Sequence, residues 1–563
     1  MRLLSAGLLI LGCWFTIGAS AMAEEPAPLW VYAPTNFQSE QDVQRLLTLL
    51  PRAAKAGYHG VVIADSKFGR LAGRPQSYYR NLQQVRQAAE DLKLELIPLV
   101  MPIGYSNSLL QNDPNLAAGL PVKNCELLVQ NGVASLADSP NLLPGGDLET
   151  AGKAVPTGWD FVDQFGSGSQ LDRQEKHAGD SSLRLGDFTP QDGRRRIAKK
   201  VRLQPFHQYR LTVWIKTEDL RGSEFRFLPI PVDSKRPFLS HANLGVKPTQ
   251  PWTRHRVIFN SLEHKEVLIY LGVWEGKSGK VWIDDIRLEE VAGVNMVRRS
   301  GCPLHVRCFD GSVTYEEGRD FERWEDPQLG RVPYLGEYDD SHEAPPLKIT
   351  PGSRITNGQP LMVSYYHTVR IHNGQVCASL VADEVFALLQ EQIQQIDKLL
   401  KPKRFFMAHD EIRVAGWDEL AKDRSTGQLL AGNVERCVKL IRALRPDAQI
   451  LVWSDMFDPH HNARDNYYLV RGTVADSWKG LDPAVNIVNW NSGKAAASLA
   501  FFADRGHDQI IAGYYDSDVA ANAAPWKQAA AGVKNIRGYM YTTWERQYDD
   551  LEAFARLVRE ESR

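Results

Sequence analysis

The stretch RFFMAHDEIR, residues 404–413, is an apolar run followed directly by three polar residues, His409, Asp410 and Glu411. A short apolar run of this kind is typical of a buried strand. Two adjacent carboxyl groups repel each other when both are ionised, and such a pair tends to raise the pKa of one member. This cost has no structural return, so the stretch indicates a functional site at the end of a strand.

The segments on both sides of this stretch alternate between strand-like and helix-like patterns. Before it, the apolar runs LWVYAP, GVVIAD and LELIPLVMP begin at residues 29, 60 and 94, and after it further runs begin at residues 449, 485, 509 and 537. Together with the run at 404 they make eight buried strands, mostly separated by amphipathic helices. This alternation predicts an α/β fold, a (β/α)8 TIM barrel. A ninth strand-like run, residues 360–369, is assigned to the long connection between the third and fourth strands.

Residues 138–292 break the alternation and show only strand and turn patterns. Short alternating strands separated by Gly, Pro and Asp are typical of a β-sandwich. We therefore expect the barrel to be interrupted by an inserted all-β jelly-roll sandwich domain. The predicted organisation is a signal peptide (1–23), the first part of the barrel with strands 1–3 (24–137), the sandwich (138–292) and the remainder of the barrel with strands 4–8 (293–563).

The N-terminal segment has the pattern of a secretory signal peptide. Arg2 precedes a long apolar run, and Ala21-Met22-Ala23 forms an A-x-A cleavage site. The expected location is therefore secreted or periplasmic. The residues ILGC ending at Cys13 loosely resemble a lipoprotein signal, but the apolar region would be short and Leu11 fits it poorly, so a lipid anchor is the less favoured alternative. No other stretch is long and apolar enough to span a bilayer.

The composition excludes several classes of function. The formal net charge of −2 gives no electrostatic case for nucleic acid or an acidic membrane surface. No Gly-rich phosphate loop follows a strand, and no cofactor is expected for catalysis. Five cysteines remain after the predicted cleavage, and Cys302 and Cys308 could form a local disulfide in an oxidising compartment.

Barrel active sites lie at the carboxyl ends of the strands, so the polar and aromatic residues that end each run are the candidate site. Sugars bind to such a mixture, because their C–H faces stack on aromatic rings and their hydroxyls need donors and acceptors. Any single Trp or Tyr there also fits a core position. The expected ligand is a poly- or oligosaccharide, and the candidate substrate-binding residues are His409, Trp453, Asp455, Asn489, Trp490, Tyr514, Tyr515, Trp544 and Glu545.

The adjacent carboxyl groups suit one glycosidase mechanism better than the common one. Retaining enzymes usually need two carboxyl groups roughly 5 Å apart on opposite sides of the bond, which neighbours on one strand do not easily provide. In a substrate-assisted scheme the 2-acetamido oxygen of the sugar is the nucleophile. Glu411 would then be the general acid, Asp410 would orient the acetamido group, and Tyr514 or Tyr515 would bind its oxygen. The structural alternative is an Asp-Glu pair bound to Arg413 or a lysine.

The motif KRFFMAHDEI, together with VWSDMF, NIVNW and YTTWE, resembles the family 20 glycoside hydrolases, the β-N-acetylhexosaminidases. The resemblance implies that Asp410 orients the substrate, that Glu411 is the acid, and that Tyr515 assists at the acetamido group. It also implies pocket walls formed by Trp453, Trp490 and Trp544. The sequence departs from the family at Ala408-His409, where small residues are usual, and in the first strand, which lacks the usual Arg.

Residues 138–292 are similar to β-sandwich carbohydrate-binding modules of the broad family 4, 9 and 22 type, through NLLPGGDLETAG, GWDF and VWIDDIRLEE. That resemblance implies a structural calcium, with Glu149 and Asp284 at the metal positions. Trp159, Trp214 and Trp282 are expected in the core of the sandwich, and Trp274 near a turn is the better candidate for a glycan contact. A sandwich that only packs on the barrel is the alternative.

The leading hypothesis is a glycoside hydrolase that acts with retention on an N-acetylated aminosugar glycan. A second hypothesis is a glycosidase acting on a non-acetamido sugar, with a second carboxylate supplied by Asp455, Glu545 or Asp65. A third is a catalytically inert glycan-binding protein. The intact Asp410-Glu411 pair argues against inertness, whereas the missing Arg of the first strand argues mildly for it.

Overall fold

The computed structural model of the chain describes residues 27–152, 155–189, 191–222, 224–331, 338–372 and 374–559. The predicted signal peptide and Cys13 lie outside the described residues.

The chain begins with three parallel strands and two helices: β1 (Leu29–Pro34), α1 (Glu40–Lys55), β2 (Gly60–Ala64), α2 (Gln76–Asp91) and β3 (Glu95–Val100). Helix α1 starts where the Ser39 side chain accepts a hydrogen bond from the Asp42 N–H, which satisfies one of the free donors of the first turn.

A long antiparallel region follows β3. Its strands are β4 (Leu120–Gln130), β5 (Val133–Ser135), β6 (Phe161–Val162), β7 (Ser169–Asp172), β8 (Ser182–Leu185), β9 (Arg195–Arg202), β10 (Gln208–Gly222), β11 (Phe225–Pro231), β12 (Ala242–Asn243), β13 (Gln250–Asn260), β14 (Glu266–Val273), β15 (Gly276–Val291), β16 (Met296–Val297), β17 (His305–Cys308), β18 (Thr314–Tyr315), β19 (Leu347–Lys348) and β20 (Pro360–His367).

The parallel part then resumes with α3 (Asp383–Leu400), β21 (Arg404–Met407), β22 (Val414–Ala415), α4 (Thr426–Leu444), β23 (Gln449–Trp453), β24 (Leu469–Val470), β25 (Val485–Asn489), α5 (Ala495–Ala503), β26 (Gln509–Tyr514), α6 (Val519–Ala530), β27 (Ile536–Thr542) and α7 (Leu551–Arg559).

The eight predicted strands close into a parallel barrel in the order β1-β2-β3-β21-β23-β25-β26-β27. The predicted fold class, a (β/α)8 TIM barrel interrupted by one jelly-roll sandwich, is nevertheless wrong. The described chain has seven α-helices, the fifth barrel strand β23 is followed by no α-helix, and antiparallel sheets fill the connection between β3 and β21. The physical reason is that the segment after β23 is a loop with short 3-10 turns, which covers the barrel without forming a crossover helix.

The antiparallel region contains two structures. Strands β6 to β15 form two five-stranded sheets, β13-β10-β15-β8-β7 and β12-β11-β14-β9-β6, which make the sandwich. A separate seven-stranded sheet is built from β4, β5 and β16 to β20, which lie on either side of the sandwich in the sequence. The strands β4, β5 and β16 to β20, which fall in segments assigned to the barrel on sequence, therefore belong to this third sheet. Strand β20 lies outside the barrel, as predicted for residues 360–369.

The barrel interior is a packed core. It contains the buried side chains of Trp30, Tyr32, Val62, Ile97, Phe406, Leu451, Trp453, Val488, Ile510, Ala512 and Met540. Because these layers fill the barrel axis, a ligand can bind only at its end.

All five described cysteines are buried and free, so the possible disulfide between Cys302 and Cys308 is not formed. The Cys302 thiol contacts Asp418 and the Cys308 thiol contacts Asp310 instead. Among the described helices none has the length and apolar character needed to cross a membrane.

Candidate functional site

A pocket of about 480 Å³ lies at the carboxyl end of the barrel. Residues from or near the ends of all eight strands line it, including Tyr32, Asp65, Leu99, Pro102, Tyr105, Ala408, Asp410, Glu411, Trp453, Trp490, Tyr515 and Trp544. With Phe68, the lining thus combines three carboxyl groups with seven aromatic side chains. Such a pocket suits a ligand with both apolar faces and hydroxyl groups.

Glu411 is held tightly on all sides. Its backbone has φ +48°, a left-handed conformation that costs a non-glycine residue roughly 1–2 kcal/mol. The Glu411 N–H donates to Asp455 Oδ2 at 2.8 Å, and its carbonyl accepts from Gln375 Nε2 at 2.9 Å. These two bonds from other elements fix the strained backbone and with it the direction of the side chain.

The Glu411 carboxylate has a partner on each oxygen. Arg413 Nη2 lies 2.5 Å from Oε1, and the Tyr105 hydroxyl donates to Oε2 at 2.5 Å. Arg413 is buried, and its Nη1 also donates to Gln375 Oε1 at 2.8 Å. On sequence, an Asp-Glu pair bound to Arg413 was the alternative to a catalytic pair. An ion pair between Glu411 and Arg413 does form, and it lies inside the pocket wall.

Asp410 is the second carboxyl group of the pair, and it is half-buried like Glu411. Burial raises the pKa of Asp410 well above its usual range, and the carboxyl groups of Asp455 and Glu411 raise it further. Gly104 allows this approach, because a Cβ there would lie 2.1 Å from the Asp410 carbonyl oxygen. The pocket thus holds one carboxyl group that favours the protonated form beside another that is ion-paired.

The aromatic residues form a cup around the two acids. Trp490 and Tyr515 are parallel, with ring centroids 5.8 Å apart, and Trp544 meets Tyr515 edge-on at 5.8 Å. Tyr32 contacts both Trp453 and Trp544. Trp453 is fully buried at the base, whereas Trp544 is 45% exposed at the rim. The cup is therefore deep enough to enclose one sugar ring and open on one side.

Two polar atoms of the cup have no hydrogen-bond partner of ordinary geometry among the described residues: Tyr515 Oη and Trp453 Nε1. Burial raises the pKa of the Tyr515 hydroxyl, and the neighbouring Trp544 side chain lowers it without completing such a bond. Buried polar groups normally have partners. The described residues therefore leave the hydrogen-bonding capacity of these two atoms unused.

A strained turn places Tyr515 in the cup. Tyr514, Tyr515 and Asp516 have φ values of 79°, 55° and 54°, three consecutive left-handed residues. The Asp516 carboxylate accepts hydrogen bonds from the backbone N–H groups of Trp544 and Glu545, at 2.7 and 3.2 Å, and from the Thr543 hydroxyl. This turn therefore also fixes the backbone that carries Trp544. Strain of this kind is often found at functional sites.

The structure brings together some of the predicted site residues and separates others. Asp410, Glu411, Trp453, Trp490, Tyr515 and Trp544 line the pocket. Asp455 is buried behind it, where Oδ2 accepts from Asn462 Nδ2 at 2.9 Å and Oδ1 from Trp490 Nε1 at 3.3 Å. It supports the wall and is closed to a substrate.

Besides Asp455, four predicted contact residues do not line the pocket. His409 is buried with Nε2 3.0 Å from Asn433 Oδ1, and burial lowers its pKa to about 4. Asn489 donates to Gln509 Oε1 at 2.9 Å, and Tyr514 stacks on Tyr541. Glu545 is exposed outside the pocket. Each is the direct neighbour of a lining residue, but its side chain leaves the backbone in a different direction.

Sequence reasoning did not single out Arg413, Phe68 and Gln392 as site residues. Gln392 is a polar residue on the buried face of α3, where its amide contacts the Met101 N–H and the Phe68 carbonyl. A buried Gln on an amphipathic helix was the available signal for it. Arg413 could have been identified as a partner of Glu411 from its position two residues later in the sequence.

The two predicted calcium ligands, Glu149 and Asp284, accept hydrogen bonds from backbone N–H groups. Asp284 Oδ2 accepts from the N–H groups of His177 and Ala178, and Oδ1 accepts from the Asp285 N–H. Glu149 Oε2 accepts from the Asp180 N–H at 2.7 Å. No cluster of three or more His, Cys, Asp or Glu side chains suited to a metal occurs among the described residues. Ca²⁺ takes six to eight oxygen ligands, which can include backbone carbonyl groups and water, so the calcium site stays a prediction.

Comparisons with known proteins find similar solved structures but no matching family. No family model matches the sequence, and no curated protein matches it. Among solved structures, a family 16 carbohydrate-binding module is 19% identical, covers 26% of this chain and 99% of its own, and has a TM-score of 0.21. A family 61 module in complex with beta-1,4-galactotriose is 16% identical over 27% of this chain and 98% of its own, with a TM-score of 0.20.

A rhamnosidase from Novosphingobium sp. PP1Y is 11% identical and covers 92% of this chain and 55% of its own, with a TM-score of 0.33. The neighbours are thus carbohydrate-binding modules and a glycoside hydrolase. They do not specify family 20.

Proposed function

We propose that the barrel hydrolyses the glycosidic bond of an N-acetylated aminosugar, with retention and with the acetamido group as nucleophile. The observation that carries this proposal is the Asp410-Glu411 pair in an aromatic cup that offers no other open carboxylate among its described lining residues. Asp65 is the third lining acid, but its oxygens accept from the N–H groups of Phe37 and Lys67 and from the Tyr78 hydroxyl. It has little capacity left to attack a sugar.

The contacts also weigh against the other candidates for a second carboxylate. Asp455 is buried behind the wall, and Glu545 lies outside the pocket. A glycosidase acting on a non-acetamido sugar would need one of them as nucleophile. A substrate that carries its own nucleophile needs neither.

In this proposal Glu411 donates the proton to the leaving oxygen. Its partner Tyr105 is 45% exposed, which puts Glu411 towards the mouth of the pocket, where the leaving group departs. Arg413 must release the carboxyl group when the acid is protonated. Asp410, nearer the buried Asp455, Tyr32 and Tyr515, would orient the acetamido N–H.

The Tyr515 hydroxyl would donate to the acetamido oxygen and so hold it against the anomeric carbon. Trp453, Trp490 and Trp544 would enclose the sugar ring. We further propose that the protein is secreted or periplasmic, where polymeric glycans are accessible. Sequencing the N-terminus of the exported protein tests this: a mature chain beginning after Ala23 is expected.

The raised pKa of Asp410 makes it a rival proton donor, so the experiment must separate the two acids. Wild type, Glu411→Gln and Asp410→Asn are assayed on a 2,4-dinitrophenyl β-N-acetylglucosaminide and on a β-linked disaccharide of the same sugar. A general acid contributes about 10²–10⁴-fold, chiefly when the leaving group is poor. Glu411→Gln should therefore lose about a thousandfold on the disaccharide and less than about tenfold on the dinitrophenyl substrate.

Asp410→Asn should lose about a hundredfold or more on both substrates, because orienting the nucleophile is needed whatever the leaving group. The opposite pattern would exchange the two roles. Turnover of aryl glucosides without an acetamido group at the same rate would reject the substrate-assisted mechanism. Binding without any turnover would favour the inert glycan-binding alternative.

A further inference from the structure

The sandwich carries a polar groove on the outer face of the sheet that contains β10, β13 and β15. Its volume is about 650 Å³, and the residues 141–147 form one wall. Four arginines line it: Arg210, Arg254, Arg256 and Arg287. It lies outside the barrel pocket and shares no lining residue with it.

The strand register sets these arginines around a small central residue. Thr212 of β10 is paired with Arg256 of β13 on one side and with Arg287 of β15 on the other. Directly opposite residues of antiparallel strands share a face. Because neighbouring strands are about 4.8 Å apart, the two arginines stand roughly 10 Å from each other, with only a threonine between them.

Two further groups extend this row along β10. Arg210 and Trp214 lie two residues before and after Thr212, so they project from the same face. Arg254 is paired with Trp214 on β13. The groove therefore has an aromatic ring at one end of a line of cationic side chains.

The arginines are incompletely neutralised. Arg210 and Arg256, with side chains 15% and 21% exposed, share the single carboxylate of Glu343, at 3.1 and 3.3 Å. Glu343 itself is 74% exposed. Burial lowers the pKa of Arg256, and the neighbouring charges of Arg254 and Arg210 lower it further. An exposed carboxylate bound by one oxygen to each arginine is readily displaced by a ligand anion.

The remaining acids of the groove do not close it. Asp285 is bound to His177 at 2.6 Å, and Glu289 lies 3.9 Å from Arg287. Asp147 is exposed at the wall. The His177 ring stacks on Trp214 with centroids 3.8 Å apart, which fixes the indole. Trp214 was predicted in the sandwich core, but it is only half-buried and lines the groove.

We propose that this groove binds a polysaccharide that carries carboxylate or sulfate groups, with Arg256 and Arg287 as the principal anion contacts and Trp214 as a wall for a sugar ring. Planar guanidinium groups bind both kinds of anion through paired hydrogen bonds. The site is independent of the reaction proposed for the barrel.

The full chain is titrated by calorimetry with polygalacturonate and its methyl ester, and with dextran sulfate and dextran, at low and at moderate salt. Binding of an acidic polymer and not of its neutral counterpart is expected, and the two pairs distinguish carboxylate from sulfate. Affinity should fall with salt, because the contacts are charged. Arg256→Gln and Arg287→Gln should each weaken binding about tenfold. Arg202→Gln, which removes a 91%-exposed arginine of the other sheet, is the matched control.

Thermal melting of each variant shows whether it is folded. The proposal is overturned if no acidic polymer binds to the folded wild type, if dextran or the methyl ester binds as well as the acidic form, or if Arg202→Gln weakens binding as much as the groove variants. Equal or tighter binding of a single-stranded oligonucleotide, lost in the same variants, would overturn it in favour of a nucleic-acid site.

Discussion

At the scale of single residues, the cup contains one hydroxyl whose role is separable from its ring. Tyr515 packs between Trp490 and Trp544, while its Oη has no ordinary partner among the described residues. Tyr515→Phe should keep the packing and lose only the donor. Removing one preorganised donor to a developing charge costs about 10²-fold or more, so kcat on the acetamido substrate should fall about a hundredfold with little change in melting temperature.

The neighbouring tyrosine provides the control for that prediction. Tyr514 is buried against Tyr541 and does not line the pocket. Tyr514→Phe should therefore leave kcat within about threefold of wild type. If the two variants lost activity equally, the strained turn as a whole would matter rather than the Tyr515 hydroxyl.

The site residues also show which features could be predicted from the sequence and which could not. The apolar runs correctly marked the strand ends, so the positions of Asp410, Glu411, Trp453 and Trp544 could be predicted. Which of two neighbours points into the pocket could not, as Asn489 and Trp490 show. A side chain changes face with every residue, and the turn that decides the face depends on bonds from distant loops.

At the scale of elements, a loop of the sandwich supports the wall of the barrel site. Arg236 is buried and donates to the carbonyl groups of Tyr468 and Val470. The Tyr468 ring lies 5.0 Å from the Arg413 guanidinium, which binds Glu411. A series of contacts therefore connects Arg236 of the sandwich with Glu411, through Tyr468 and Arg413.

Removing this support should impair catalysis from a distance. Arg236→Gln leaves buried carbonyl groups without their donor, which costs about 1–3 kcal/mol of stability. Loosening Tyr468 should lower kcat about tenfold and change KM little, because the sugar cup is untouched. Steady-state kinetics at a temperature where the variant is fully folded measures this, with Arg202→Gln as the control. An unchanged kcat would show that the Arg236 contact does not support Glu411.

Asp284, in the middle of β15, gives a second prediction for this domain. Asp284 accepts three backbone N–H bonds, so it is satisfied without a metal. Chelation by EDTA should leave the melting temperature within about 1 °C, whereas Asp284→Asn should lower it, because an amide cannot accept from all three donors. A chelator-induced drop that calcium reverses would contradict this and support the predicted calcium site.

At the scale of the whole molecule, the third sheet is the part of the architecture that the sequence did not predict. The barrel strands could be recognised because strands buried on both faces are continuous apolar runs. The third sheet pairs β4 with β20, which are more than 200 residues apart and enclose the entire sandwich. Local periodicity carries no information on such pairing, and both segments were placed in the barrel connections instead.

The third sheet and the sandwich meet at His367, and this contact predicts how the assembled molecule responds to acid. His367 is fully buried between Gln208 Nε2 and Asn260 Nδ2, 3.0 and 2.9 Å from its ring nitrogens. Burial lowers its pKa from 6.5 to about 4. Since the unfolded chain binds the proton more readily, the stability that neutral His367 contributes is present above pH 6.5 and is lost as the pH falls towards 4.

That loss amounts to about 3 kcal/mol at most for one such group. His367→Gln removes the titration, so the difference in unfolding free energy between wild type and this variant should shrink as the pH falls from 7 to 4. Other buried histidines titrate equally in both proteins and cancel in the difference. His305→Gln, at an exposed position of β17, is the comparison variant. Denaturant melts at several pH values measure both, and a constant gap for His367→Gln would mean that this interface does not sense acid.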